Sequence, residues 1–88
     1  MPKVVITHKV PDVEHWLKFK AERVDILKPF ATKVTDYVAL DGSKTVAVTL
    51  DVQNLAALQA TLASPSPELA AAMERHGVIP PLAVYIEK

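Results

Sequence analysis

Near its N-terminus the chain carries, from Lys3 to Phe30, KVVITHKVPDVEHWLKFKAERVDILKPF, in which a strand pattern is followed at once by a helix pattern. The segment from Lys3 to Val10 is rich in β-branched residues, which is typical of a strand. Pro11 ends that strand, and Asp12 is placed to accept the first free backbone N–H groups of a helix. We predict that this helix extends from Asp12 to Phe30.

The rest of the chain repeats the arrangement in looser form. KVTDYVAL and TVAVTLDV, joined by Asp41 to Lys44, predict a hairpin. Asn54 to His76 predicts two helices, because Ser64-Pro65-Ser66-Pro67 interrupts the helical pattern and each proline lacks the amide that a helix interior needs. Asn54, Ser66 and Gly77 are placed as caps. PLAVYIEK predicts a final strand.

The order β-α-β-β-α-β predicts one α+β domain over residues 1–88, with the ferredoxin-like arrangement. We expect a four-stranded antiparallel sheet with its helices on one face. This fold hosts many unrelated functions, so it restricts the architecture far more than the chemistry.

Composition excludes several classes of function. Ten basic and ten acidic residues give no net charge, which argues against nucleic acid or an anionic membrane as partner. There is no cysteine, the three histidines lack metal-ligand spacing, and two glycines are too few for a phosphate-binding loop. We therefore expect no disulfide, metal or cofactor. The N-terminal segment lacks a long apolar run, so a soluble cytoplasmic protein is expected.

One face of the predicted sheet lacks the branched aliphatic residues of the other. It mixes small, hydroxyl and tyrosine side chains: Thr7, Thr35, Tyr37, Ala39, Ala47, Thr49, Ala83 and Tyr85. Such a face is too apolar for open solvent, and 50% hydrophobic residues is high for a monomer of this size. We expect this face to pack against the same face of a second copy, forming a homodimer.

The first helix is apolar over more than one face. We expect one stripe to face the sheet: Val13, Trp16, Leu17, Ala21, Val24 and Leu27. A second stripe flanks it: Phe19, Ile26 and Phe30. Lys20, Glu22 and Arg23 are expected to form the solvated side of the helix. Asp36 falls on the aliphatic side of the sheet, where we expect an edge position or a bulge. The first helix therefore has more apolar surface than one small sheet can cover, which indicates a cavity or a partner.

A pocket is therefore predicted between the aliphatic face of the sheet and the first helix. Its expected lining is Ile6, His8, Trp16, Val48, Met73 and His76. His8 and His76 are the candidate catalytic residues, because imidazole exchanges protons near neutral pH. Trp16, Ile6, Val48, Met73 and Tyr37 are the candidate substrate-binding residues.

Each of these polar or aromatic residues also has a structural interpretation. His8 could fix the strand-to-helix turn by bonding Asp12 or Glu14, and His76 could complement the dipole of its helix. Trp16 could belong to the core, and Tyr37 to the dimer interface. His15 is expected to be exposed.

Two motifs carry a resemblance to a known family. The first, H-K-V-x-D-x-x-x-W, is formed by His8-Lys9-Val10, Asp12 and Trp16. The second, S-P-E-L-x-x-A-M-x-x-x-G-V, runs from Ser66 to Val78. With these motifs the chain resembles the dimeric α/β-barrel superfamily, in its antibiotic-biosynthesis-monooxygenase-like and small cyclase-like branches.

That resemblance implies a homodimeric barrel and a range of activities. The superfamily includes cofactor-independent monooxygenases of quinol or anthrone-type aromatics, polyketide cyclases, haem-degrading enzymes and proteins with no assigned role. The haem-degrading branch has an Asn, Trp, His set, but here the only tryptophan is Trp16 and the first strand has no asparagine. We therefore expect a cofactor-independent monooxygenase or cyclase acting on an aromatic or polyketide-like small molecule. The alternative is a non-catalytic small-molecule-binding or interaction module.

Overall fold

The computed structural model describes residues 2–88, and its elements follow the predicted order. They are β1 (Lys3–Lys9), α1 (Val13–Leu17), α2 (Lys20–Leu27), β2 (Ala31–Val38), β3 (Thr45–Val52), α3 (Leu55–Ala63), α4 (Pro67–His76) and β4 (Ile79–Ile86). No helix in this part of the chain is long and apolar enough to cross a membrane.

The four strands form one antiparallel sheet in the order β2-β3-β1-β4. Ile6 in the central strand β1 pairs with Val48 of β3 on one side and with Val84 of β4 on the other. The first crossover, from β1 to β2, passes over β3, and the second, from β3 to β4, passes over β1, as in the ferredoxin-like arrangement. The predicted fold class is confirmed.

The predicted caps are confirmed at the helix ends. Asp12, Asn54 and Ser66 each accept a hydrogen bond from the backbone N–H three residues further on. Gly77 ends α4 in the left-handed conformation, with φ 81° and ψ 26°. These local bonds satisfy backbone groups that the helices leave without partners.

The first helical region is broken, so the prediction of a single helix from Asp12 to Phe30 is wrong. The N–H groups of Lys18 and Phe19 donate to carbonyls only three residues back, which makes a tighter turn than an α-helix. Leu17 and Val24, predicted to face the sheet, are 38% and 37% exposed, whereas Arg23, predicted to face solvent, is buried on the same side as Trp16.

The core lies between the helices and the aliphatic face of the sheet. Its buried members include Val4, Ile6, Trp16, Val46, Val48, Leu50, Val52 and Leu58. The other face of the sheet, here called the back face, carries Tyr37 and Tyr85, which are 50% and 60% exposed. Within residues 2–88 no helix covers the back face, and the helices pack on the aliphatic face, as predicted.

Candidate functional site

A cavity of about 80 Å³ lies between the sheet and the helices. Among its lining residues are Ile6, His8, Trp16, Val48, Met73 and His76, the six that the sequence places there. Partly exposed residues of four elements also line it, namely Ile26 of α2, Leu62 of α3, Leu69 of α4 and Leu82 of β4. The surface of the cavity is almost entirely apolar.

Tyr37 does not reach this cavity. It lies on the back face, where it pairs with Ala47 of β3 and is half exposed. Of the predicted substrate-binding residues it is the one that the structure keeps apart from the others. Strand alternation places Tyr37 opposite to its neighbour Asp36, which faces the helices.

His8 is held on the helix-facing side of β1 and is 6% exposed. Its Nδ1 lies 3.2 Å from the backbone oxygen of Lys9, so the Nδ1–H donates to that carbonyl. This bond assigns the lone pair to Nε2, which can accept a proton. Neither Asp12 nor Glu14 bonds the ring within residues 2–88. Burial lowers the pKa of His8, and the positive charge of Arg23 lowers it further, against the Lys9 hydrogen bond.

Trp16 forms the wall of the cavity beside His8. The two rings meet edge to face with their centroids 5.9 Å apart. Trp16 is fully buried, and the guanidinium carbon of Arg23 lies 4.0 Å from the centroid of its ring. Such a contact between a cation and an indole face is favourable when both are shielded from water.

A buried ion pair that the sequence did not predict joins α2 to β2. Arg23 Nε lies 3.3 Å from Asp36 Oδ1, and Arg23 Nη2 lies 2.6 Å from Asp36 Oδ2. The two side chains are 9% and 4% exposed. The expectation of a solvated Arg23 is therefore wrong. Asp36 lies on β2, which is an edge strand, so the expected edge position is confirmed, while the bulge lies earlier, between Thr32 and Thr35.

His76 lies against the same arginine and is 3% exposed. Its Nε2 is 2.8 Å from Glu22 Oε1, and its Nδ1 is 3.5 Å from Arg23 Nη1. A carboxylate on one side and a guanidinium on the other favour a neutral ring with its proton on Nε2. Burial is the main cause of a lowered pKa for His76, and Arg23 adds to it, although Glu22 acts in the opposite sense. Phe19 stacks on the ring at 4.7 Å.

Ion pairs and hydrogen bonds connect these side chains in a continuous row from β2 to α4, here called the charge row. The charge row consists of Asp36, Arg23, His76, Glu22 and Arg75, where Arg75 Nη2 lies 2.7 Å from Glu22 Oε1. One sequence signal could have indicated it. Alternation puts Asp36 on the aliphatic face, and a buried carboxylate requires a cationic partner.

The chemistry available at the cavity follows from this arrangement. Each nitrogen of Arg23 is already bonded, and the guanidinium is neutralised by Asp36, so the cavity offers no free positive charge to an anion. No group of three metal-binding side chains occurs within residues 2–88. The cavity is an apolar space with one buried base, His8, and it suits an uncharged molecule that can release a proton.

Solved structures share this fold at low sequence identity. A protein from Agrobacterium tumefaciens matches with a TM-score of 0.67 and 15% identity, covering 100% of this chain and 92% of its own. A conserved protein from Methanosarcina mazei Go1 matches with a TM-score of 0.66 and 11% identity, covering 99% and 90%. A third, described as an antibiotic biosynthesis monooxygenase, matches with a TM-score of 0.64 and 15% identity, covering 100% and 97%.

No family model matches the sequence, and no curated protein matches it. The resemblance to antibiotic-biosynthesis-monooxygenase-like proteins is confirmed at the level of the fold. At such identities the likeness establishes the architecture, and the activity has to be argued from the residues of the cavity.

Proposed function

We propose that this protein is a homodimeric, cofactor-independent monooxygenase of a small phenolic molecule, with His8 as the base. One observation carries the proposal. His8 is buried at the cavity, its lowered pKa keeps the ring neutral at pH 7, and its Nδ1–H is engaged by Lys9, so Nε2 is available to take a proton. A neutral imidazole in an apolar site is the state that general-base catalysis requires.

The reaction needs no group beyond substrate and dioxygen. With a quinol as substrate, Nε2 of His8 accepts the proton of one hydroxyl, and the resulting anion becomes electron-rich at its ring carbons. A ring carbon then bonds to one oxygen of O₂, and the O–O bond breaks. One oxygen stays on the ring, the other leaves as water, and the quinol is oxidised to a hydroxyquinone. The quinol supplies all the electrons that dioxygen gains.

The size of the cavity favours a monooxygenase of a single ring over a polyketide cyclase. A volume of about 80 Å³ is below the range of roughly 300–1,000 Å³ that is usual for ligand pockets. A single ring is the aromatic group that comes nearest to fitting this volume. A folded polyketide chain or a fused ring system would require the helices to separate.

The same small volume favours a second candidate, a non-catalytic module that binds a small aromatic molecule. The contacts of His76 support this alternative, because both of its ring nitrogens already have partners, Glu22 and Arg23, within the protein. We assign His76 to positioning in either case. His8 alone then has the role of a catalytic residue in the first candidate.

An oxygen-consumption assay with 1,4-hydroquinone separates the two candidates. The wild type should consume O₂ and form hydroxyquinone faster than buffer, and His8→Gln should lower that rate by about 10²–10⁴-fold. His15→Gln is the matched control, because His15 is exposed and outside the cavity. Binding of hydroquinone without O₂ consumption would favour the non-catalytic module. No binding at all would refute both.

The exposed apolar surface of the back face supports the proposed homodimer. Tyr37 and Tyr85 expose half or more of their surface there, and apolar area of this kind is stabilised by burial at roughly 25 cal/mol per Å². Thr49→Glu, in the middle of the back face, should weaken association in sedimentation experiments at micromolar concentration. Gln53→Glu adds the same charge at an exposed position beyond β3 and should not. A monomeric wild type would refute the proposal.

A further inference from the structure

Next to the cavity lies a larger space, here called the outer groove, between α3 and the edge strand β4. Its volume is about 490 Å³, which falls within the range of roughly 300–1,000 Å³ that is usual for ligand pockets. Gln59 and Lys88 contribute polar groups to it. The apolar side chains that line it come from β1, β4 and α3: Val4, Val84, Ile86, Leu55, Leu58 and Leu62.

The floor of the outer groove is exposed apolar surface. Val84 and Ile86 are 44% and 38% exposed, although their partners across the strand pair, Ile6 and Val4, are buried. Strand alternation puts Val84 and Ile86 on the helix-facing side of the sheet, opposite to Tyr85 on the back face. A dimer formed through the back face therefore leaves the outer groove uncovered. Exposed apolar surface beside polar residues is typical of a binding site.

The cavity and the outer groove meet at Leu62, whose side chain lines both. They also follow one another along β1, where His8 lines the cavity and Val4 lines the groove. These two residues share a face of the sheet and are separated by about 13 Å of strand. On β4 the order is the same, with Leu82 in the cavity and Val84 in the groove. The outer groove therefore continues the cavity in the direction away from His8.

We infer that the outer groove holds an apolar chain attached to the phenolic ring, on the side of the ring away from the hydroxyl that faces His8. This inference rests on the proposed function and deepens it, because it names an alkyl-substituted phenol or quinol as the substrate class. The ring takes up the small cavity, and the chain continues past Leu62 to lie against Val84 and Ile86. Burial of the chain supplies affinity that a single ring in so small a cavity lacks.

Isothermal titration calorimetry with two series of alkylphenols tests the direction of the chain. Each methylene added to 4-methylphenol should tighten binding by about two- to fourfold, because full burial of a methylene corresponds to about fourfold and the groove is open on one side. 4-Butylphenol should thus bind roughly 8–60-fold more tightly than 4-methylphenol. In 2-butylphenol the same chain lies beside the hydroxyl and points away from the groove, so no such gain over 2-methylphenol is expected.

A variant tests the outer groove itself. Val84→Lys puts a charged side chain where the alkyl chain should lie, so it should remove the gain with chain length and leave the binding of 4-methylphenol nearly unchanged. Val38→Lys is the matched control. Val38 is a valine of the other edge strand, 51% exposed, and it lies outside the cavity and the groove. Should Val84→Lys fail to fold, the comparison of the two series in the wild type decides alone.

The outcomes separate this inference from the proposed function. Equal gains in the two series, or no gain in either, would overturn the inference and leave the proposed phenol-binding cavity standing. An undiminished gain with chain length in Val84→Lys would do the same. Failure of every phenol, including 4-methylphenol, to bind the wild type would overturn the proposed function as well.

Discussion

Removing the carboxylate of Asp36 should destabilise the protein severely. Asp36→Ala leaves the guanidinium of Arg23 buried, with its side chain 9% exposed, and removes two charge-assisted hydrogen bonds of 3.3 and 2.6 Å. Breaking one side of a buried ion pair costs about 3–5 kcal/mol. A domain of this length has a free energy of unfolding of only about 4–13 kcal/mol, so the variant should be barely folded.

Replacing both partners should restore most of that loss. Arg23→Met with Asp36→Leu puts apolar side chains of similar length where the charges were, and such replacements are often neutral or stabilising. The double variant should therefore be more stable than Asp36→Ala alone. The backbone oxygen of Trp16 loses one donor in this variant but keeps the N–H of Phe19.

Urea denaturation followed by tryptophan fluorescence measures these differences, at one fixed protein concentration because association would add to stability. Lys3→Ala is the control, since Lys3 pairs with Asp51 at 3.5 Å while 53% exposed. An exposed pair contributes less than about 1 kcal/mol. If Asp36→Ala cost no more than Lys3→Ala, the assignment of Arg23–Asp36 as a structural ion pair would be refuted.

Three further predictions concern the same region. Burial lowers the pKa values of His8 and His76 below 6.5, so the unfolded chain binds more protons than the folded one below that pH. The contribution of the two histidines to the free energy of unfolding should be complete above pH 6.5 and decrease as the pH drops toward their folded-state pKa values. A urea midpoint that stays constant between pH 8 and 5 would contradict this. Gly77→Ala should cost about 1–2 kcal/mol, because Gly77 has φ 81° and an added Cβ would lie 3.2 Å from Pro11 Cδ. Thermal unfolding would show a Tm lower by several degrees, and an unchanged Tm would count against the strain. Phe19→Leu removes the ring stacked on His76 and should lower the free energy of unfolding, measured in urea, by about 0.5–1.5 kcal/mol. An unchanged urea midpoint would show that the stacking does not stabilise the protein.

Local chemistry explains why the element order and the helix ends could be predicted. Asn54, Ser66 and Gly77 act within three residues of their own positions, so their effect is visible in the sequence. Strand alternation and helical spacing likewise brought His8 and His76 to one side of the sheet. The volume of the cavity could not be predicted, because it depends on how closely the helices pack.

The interior charges were missed for a different reason. Arg23 lies seven residues after Trp16, so even an unbroken helix would place the two on nearly the same face, and only its charge led to the expectation of a solvated side chain. The position of Asp36 did indicate a buried charge, since strand alternation placed its carboxylate on the aliphatic face of the sheet. Its partner lies thirteen residues away and is found only through tertiary packing.

The charge row has a consequence for the order of events in folding. Its links between α2 and α4, Arg23–His76 and Glu22–His76, join residues 53 and 54 positions apart. Contacts that close such long loops are entropically costly before the rest of the chain is in place, so we expect them to form after the transition state. Truncating His76 should accordingly speed unfolding and leave the refolding rate almost unchanged. The charge row would then have little effect on the folding rate, and it would lengthen the lifetime of the native state by slowing unfolding.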